Sequence, residues 1–312
     1  MRVVEVGRHG GPEEMRVVER PSVPVGPDEV RVQVAAIGVN YLDVQERTGA
    51  YPRAVPYVPG DEGSGVIVEI GASVRRWQPG ERVCWQGIRG SYASEQVIPA
   101  DRLIAVPEAV SLETAAALPT QGLTAHYLVN DSYDVQPGDL VVVLAGAGGV
   151  GLLLTQLAKL RGAHVISAVS TDAKAELSRA AGADRVITYA EIAREQADVV
   201  YDSVGATTFE DSLSCLRRRG TLVLYGQSSG PVPPFDLRRL GPAGSLTITR
   251  PTLRDFVTTA AELRQRAADL FAYVQAGDLV IQNSAAYPLA DVARAHADLE
   301  ARRTTGKVLL IP

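Results

Sequence analysis

The stretch 140–158 constrains the fold of this chain more than any other. It carries no charged residue, yet glycines at 146, 148, 149 and 151 break its middle, and Thr155 and Gln156 follow. A charge-free run of this length is long enough to span a bilayer. The glycines and the polar pair instead favour a buried strand running into a buried helix. The segment Val141-Val-Val-Leu-Ala-Gly146-Ala-Gly148-Gly149-Val-Gly151 sets G-x-G-x-x-G directly after the expected strand 140–145 and before a helix at about 149–161. In that setting Gly146 permits a tight turn, Gly148 lets the backbone approach a pyrophosphate, and Gly151 lets the helix pack closely on the strand. Free N–H groups of the first helical turn, at the positive end of the helix dipole, then hold phosphate. Gly146, Ala147, Gly148, Gly149 and Val150 are therefore the expected dinucleotide contacts, with a ligand-free Gly-rich turn as the alternative.

The flanking pattern supports such a unit. Unbroken apolar strands are expected at 164–168, 185–188, 199–202, 221–225 and 246–249, with a helix at 172–181. Strands of this kind belong to a parallel sheet covered by helices on both faces. The first part of the chain differs. Strands at 1–6, 29–37, 62–70, 82–84 and 93–98 are punctuated by Pro-Val-Gly-Pro at 24–27 and Pro-Gly at 59–60 and 79–80, without clear helical periodicity. This reads as a compact, antiparallel, barrel-like domain. A capped helix is expected from Ser111, helical periodicity over 255–275, and a closing helix 289–301 with a strand 307–311. The architecture predicted is α/β, with a Rossmann unit over 116–250 inserted in a domain formed by both chain ends, 1–115 and 251–312.

Composition excludes several function classes. Of 312 residues, 46% are hydrophobic and 21% charged, with a net charge of −5 and acids and bases interspersed. That is a globular chain without the basic stripe of a nucleic-acid binder. Cys84 and Cys215 lie far apart with no CxxC pair, as in a reduced, cytoplasmic protein. The N-terminus opens on a strand-like run without a signal pattern. A soluble protein with no membrane partner is expected.

The end of the second Rossmann strand speaks to the cofactor. NAD-specific sites place an acid there to bind the ribose 2′-hydroxyl. Here the strand leads into Ser170-Thr171, with Lys174 one turn later, and Asp172 falls at the helix start, where it caps. A hydroxyl and a lysine suit a 2′-phosphate, so NADPH is expected; a solvated helix-face charge is the other reading of Lys174.

Together these residues resemble the medium-chain dehydrogenase/reductase superfamily, in particular its zinc-independent quinone oxidoreductase branch, which includes the zeta-crystallins. The stretches that carry the likeness are Gly38-Val-Asn40-Tyr-Leu-Asp43, Pro59-Gly-Asp-Glu-Gly-Ser-Gly65, the loop 145–151, Tyr201-Asp-Ser-Val-Gly205, Tyr225-Gly-Gln-Ser-Ser-Gly230 and the segment 245–251. The resemblance implies a Rossmann domain inserted in a GroES-like, β-rich catalytic domain. It implies that Asn40 lies near the nicotinamide, that Tyr51 is a cleft tyrosine and that Tyr127 contacts the cofactor. Ser170, Lys174 and Tyr189 would enclose the 2′-phosphate. Gly205, Gly226, Gln227 and Ser228 would line loops beneath the cofactor, with Thr249 and Arg250 at the carboxamide. Members of the branch often have tyrosine where this chain has Gln45.

Zinc-dependent relatives bind catalytic metal through a Cys, a Gly-His-Glu histidine and a second Cys. Asn40 and Asp61 stand at the first two places, no Cys lies between Cys84 and Cys215, and histidines 9, 126, 164 and 296 show no ligand spacing. Without a Lewis acid an unactivated ketone is a poor acceptor. A quinone spreads incoming charge by conjugation, so a hydrogen bond from Tyr51, the candidate donor, and orientation by Asn40 would suffice; a tyrosine that only walls the pocket is the other reading of Tyr51. The expected activity is NADPH-dependent quinone reduction by a homodimer. An enone, alkenal or enoyl-thioester reductase is the alternative, and a non-catalytic nucleotide-binding protein a third.

Overall fold

The computed structural model describes residues 1–312. In chain order its elements begin β1 (Arg2–Val6), β2 (Met15–Glu19), β3 (Glu29–Val39), α1 (Tyr41–Thr48), β4 (Glu62–Ile70), β5 (Arg82–Gln86), β6 (Glu95–Pro99), β7 (Ile104–Ala105), α2 (Leu112–Ala117) and α3 (Pro119–Tyr127). Then come β8 (Leu140–Leu144), α4 (Gly149–Leu160), β9 (His164–Ala168), α5 (Asp172–Ala180), β10 (Arg185–Ile187), β11 (Ala197–Asp202), α6 (Phe209–Ser214), β12 (Leu216–Leu224) and β13 (Thr247–Thr249). The chain closes with α7 (Ala260–Ala276), β14 (Asn283–Pro288), α8 (Val292–Glu300) and β15 (Lys307–Ile311). No helix is long and apolar enough to cross a membrane, and the charge-free stretch is β8 running into α4.

Two compact units result: Met1–Thr120 with Val257–Gln275 and Ile281–Pro312, and Gln121–Phe256 with Ala276–Val280. The first holds a seven-stranded sheet in the order β14-β15-β3-β4-β5-β7, with β6 also on β3. The long strand β3 pairs antiparallel with β15, β4 and β6, so the C-terminal strand lies beside residues 37–39. The sheet is not wholly antiparallel, because β14 runs parallel to β15. Its core includes Val32, Ile37, Ile67, Trp85 and Leu310.

The periodicity argument misses α1, for a physical reason. Its apolar Tyr41 and Leu42 are 37% and 38% exposed, while Asp43, Glu46 and Arg47 are buried. Those three positions share one face of a helix. Val44 is its one buried apolar side chain, and a hydrophobic pattern cannot find such a helix.

The second unit holds six parallel strands in the order β10-β9-β8-β11-β12-β13. Counted from β8 this is 3-2-1-4-5-6, the doubly wound dinucleotide-binding order. Strand order reverses between β8 and β11, so the turns that follow these two strands flank the crevice in which such sheets bind ligands. Val142, Leu144, Ile166, Val200 and Leu222 build its core.

Candidate active site

The turn after β8 is tighter than its glycines alone suggest. The residue in the left-handed region is Ala145, at φ 52°, and its carbonyl accepts from Gly148 N at 2.8 Å. Gly146 is not needed for the turn's φ, as the sequence suggested, but for space: a Cβ there would lie 1.7 Å from Ser167 Oγ, itself bonded to Ser178 at 2.9 Å. Gly151 does pack as expected, since a Cβ would lie 2.5 Å from the Ala145 carbonyl oxygen. Gly148 is the N-cap of α4 and has no side chain to cap it, so the N–H groups of Gly149, Val150 and Gly151 are left for a ligand. Ala147 is buried against Val169 and Ala175. An uncapped, twelve-residue helix behind a close turn is chemistry that fits a pyrophosphate.

Beyond β9, Ser170 is exposed and Thr171, not Asp172, is the N-cap of α5, its hydroxyl accepting from Lys174 N at 3.3 Å. Asp172 instead sits in the first turn, where the dipole favours it. Lys174 is half-buried one turn above Ser170. Tyr189, just past β10, accepts from Ala145 N at 3.2 Å, which ties this edge to the glycine turn. A hydroxyl, an ammonium and a phenol at the end of β9 and β10 fit a 2′-phosphate better than a bare ribose.

Sequence reasoning missed the residue that organises the next turn. Asp202, fully buried at the end of β11, accepts from Val204 N at 2.7 Å, Gly205 N at 3.0 Å, Thr208 Oγ1 at 2.7 Å and Ser212 Oγ at 2.8 Å. Its carbonyl takes Tyr225 N at 2.9 Å, with Gly226 N at 3.4 Å, and Ser228 N bonds the Ser203 carbonyl at 3.1 Å. Gly205 approaches Gln227 closely enough that a Cβ would lie 3.1 Å from its Cα. The turns carrying Gly205, Gly226, Gln227 and Ser228 are thus one assembly. Thr249 ends β13 opposite Val223, followed by exposed Arg250. Tyr127 stacks on Phe256 at 4.3 Å, and burial, with Tyr225 nearby, raises its phenol pKa against the opposing charge of Arg250.

In the other unit, α1 is entered through Asn40, whose N–H donates to Asp43 Oδ2 at 2.8 Å. The Asn40 side chain bonds Glu62 and Lys307, both buried. A second buried series runs off Asp43. Arg47 Nε donates to His296 Nδ1 at 3.4 Å, His296 Nε2 lies 3.0 Å from the Tyr92 hydroxyl, and that hydroxyl donates to Asp43 Oδ2 at 2.9 Å. A guanidinium only donates, so the His296 proton sits on Nε2 and the series points one way, toward Asp43. Burial and Arg47 lower His296 to about 3, keeping it neutral. Burial, then the charge of Asp61, raises Asp43 to about 8. Asp61 is raised to about 6 by burial and then Glu46, against Arg53 and Arg89, and its buried Oδ1 has no partner in the protein. Tyr51 lies past the left-handed C-cap Gly49, half-buried, its N–H on the Gln45 carbonyl at 3.0 Å. No three His, Cys, Asp or Glu side chains cluster as a metal site would require.

Known proteins resemble this chain over its whole length. Residues 26–108 match the alcohol dehydrogenase GroES-like domain, and residues 149–272 match the zinc-binding dehydrogenase family. The chain is 39% identical to a quinone oxidoreductase of Pseudomonas aeruginosa, over 99% of each, and 38% identical to a 2-haloacrylate reductase of a Burkholderia species, over 98% of each. A mycobacterial structure complexed with NADPH is 44% identical and superposes with a TM-score of 0.96, covering 100% of both chains. The chain therefore belongs to the zinc-independent quinone oxidoreductase branch of the medium-chain dehydrogenase/reductase superfamily.

Proposed function

We propose that the protein reduces a small quinone to the hydroquinone with NADPH and one proton, without a metal. The observation that carries this reading is the place where zinc relatives hold their metal. Here a carboxamide, Asn40, is fixed by Lys307 and Glu62, in a chain alike over its whole length to quinone oxidoreductases. NADPH supplies hydride when bound. The N–H groups of Gly149 and Val150 would hold its pyrophosphate, and Ser170, Lys174 and Tyr189 its 2′-phosphate. Tyr127, Gly205, Gly226, Gln227, Ser228, Thr249 and Arg250 would hold its nicotinamide half. Asn40 orients the acceptor, and the Tyr51 phenol donates a hydrogen bond to the acceptor oxygen as charge develops there. A conjugated acceptor needs no stronger electrophile than this.

The discontinuous unit, with both chain ends, is the catalytic domain in this reading. The enzyme works as a cytoplasmic homodimer, in keeping with two buried free cysteines and the prevalence of two-fold assemblies. Reduction of an activated alkene is the second reading, favoured by the 2-haloacrylate reductase relative. The test is NADPH oxidation at 340 nm with benzoquinones and naphthoquinones against alkenals, haloacrylates and enoyl thioesters, a wavelength set by the reduced nicotinamide. Turnover with quinones at least tenfold above the alkenes is expected, and the reverse order would replace the first reading by the second.

A further inference from the structure

The Asn40 carboxamide is held at both ends. Its Oδ1 accepts from Lys307 Nζ at 2.9 Å, and its Nδ2 donates to Glu62 Oε1 at 2.6 Å. Lys307 also donates to that Oε1, and Glu62 Oε2 takes Thr120 N–H at 2.7 Å. The Lys307 and Glu62 side chains are 1% and 0% exposed. The backbone makes room for them at Gly38, where a Cβ would lie 2.3 Å from Glu62 Oε1 and 2.7 Å from Lys307 Cε.

An ammonium can only donate and a carboxylate can only accept. The amide therefore has one orientation. Turned over, it would set Nδ2 against the ammonium and Oδ1 against the carboxylate, and repulsion between buried groups is costly. Charge at both ends also polarises the amide: the cation draws density to Oδ1, the anion pulls on one Nδ2–H, and the remaining Nδ2–H becomes a stronger donor. That remaining N–H has no partner in the protein.

We propose that Lys307 and Glu62 are positioning residues for the reduction, fixing Asn40 as a polarised donor whose free Nδ2–H serves the acceptor oxygen that gains negative charge. This rests on the reductase reading above, for either acceptor class. Without the pair, Asn40 presents its carbonyl oxygen part of the time, an acceptor facing a developing anion.

A double-mutant cycle tests it. Lys307→Met with Glu62→Gln removes both charges together, so neither is left buried alone, and the new amide can face Asn40 with either end. Asn40→Ala alone should lower kcat by ~10²-fold, the usual worth of one such donor, and the charge-free pair variant by ~10-fold or more. Asn40→Ala made in the charge-free background should then cost about tenfold or less, because that part of its oriented donor which depends on the pair is already lost. A full ~10²-fold loss in both backgrounds would overturn the proposal, since a merely structural pair gives additive effects. Thermal melting and the NADPH Kd report folding separately from kcat.

The cycle is read on whichever acceptor the wild type turns over best, so a failed quinone reading leaves it intact. A measurement on the wild type alone needs neither turnover nor a variant. In nitrogen-15 spectra one Asn40 Nδ2 proton should be shifted downfield and exchange slowly, and its partner should move when hydroquinone is added. Two rapidly exchanging, unshifted protons would sink the idea.

Discussion

In the proposed reading, cofactor choice rests on side chains at the ends of β9 and β10, Ser170 and Lys174 foremost among them. A 2′-phosphate must shed part of its hydration to bind, and charge-assisted hydrogen bonds from Lys174 and Ser170 offset that by ~1.5–3 kcal/mol. Lys174→Ala is expected to weaken NADPH about ten- to more than a hundredfold while leaving NADH nearly unchanged. The loss should shrink at high salt, because partly exposed charges are screened. Fluorescence titration of both nucleotides decides it, and equal losses for the two would reduce Lys174 to a helix-face charge. Tyr51 separates the acceptor classes. If its phenol protonates an enolate carbon, Tyr51→Phe should lower the rate with enones by ~10²-fold. A quinone whose reduced oxygens take protons from water should lose far less, and no change with either acceptor would remove Tyr51 from the mechanism.

At the scale of elements, what the sequence made legible follows from how locally each feature is encoded. The run from β8 through the glycines into α4 reads correctly because an apolar strand, a close turn and a buried helix are written in consecutive residues. The left-handed residue was hidden, since nothing in Gly-rich sequence says that Ala145 takes the strained φ and Gly146 the crowding. Helix α1 was illegible because it buries three charged side chains and a single apolar one, which obscures the signal. Lys307 and Glu62 are 245 residues apart, so only the pairing of β15 and β4 on either side of β3 brings them together. Asp202 lies in the 201–205 motif, but its four donors come from the following turn and α6, whose folding back onto it is not written in the sequence. The turn itself makes a prediction. Gly146→Ala drives a methyl onto Ser167, so the turn must shift away from the phosphate position. NADPH affinity should fall by at least tenfold, with the stability cost of ~1–3 kcal/mol that overpacking brings. Gly146→Ala with Ser167→Gly, which deletes the colliding side chain, should recover most of that affinity. No recovery would mean the crowding at Ser167 is not what demands glycine.

For the molecule as a whole, the buried groups around α1 set how stability depends on pH. Asp43 faces Asn40 N–H, the Tyr92 hydroxyl, Asp61 and Lys307, and its carboxyl titrates at about 8 in the fold against 3.8 when free. The folded protein thus holds a proton that the unfolded chain has released, and this stabilisation is lost as pH rises through about 8. His296 has the opposite sign. At about 3 in the fold against 6.5 when free, it adds stability as pH rises toward 6.5 and nothing further above it. The Asp61 contribution runs the same way as that of Asp43 but ends near 6. Between pH 6.5 and 8 only Asp43 is left, and the slope of ~1.4 kcal/mol per unit amounts to ~2 kcal/mol of stability lost across the window. Urea midpoints at constant ionic strength should therefore fall from pH 6.5 to 8. Asp43→Asn keeps an oxygen acceptor for the Asn40 and Tyr92 donors and cannot ionise, so it should flatten that slope while remaining folded. Parallel slopes for wild type and variant would show that Asp43 is already ionised at neutral pH and that its burial is compensated by charges around it.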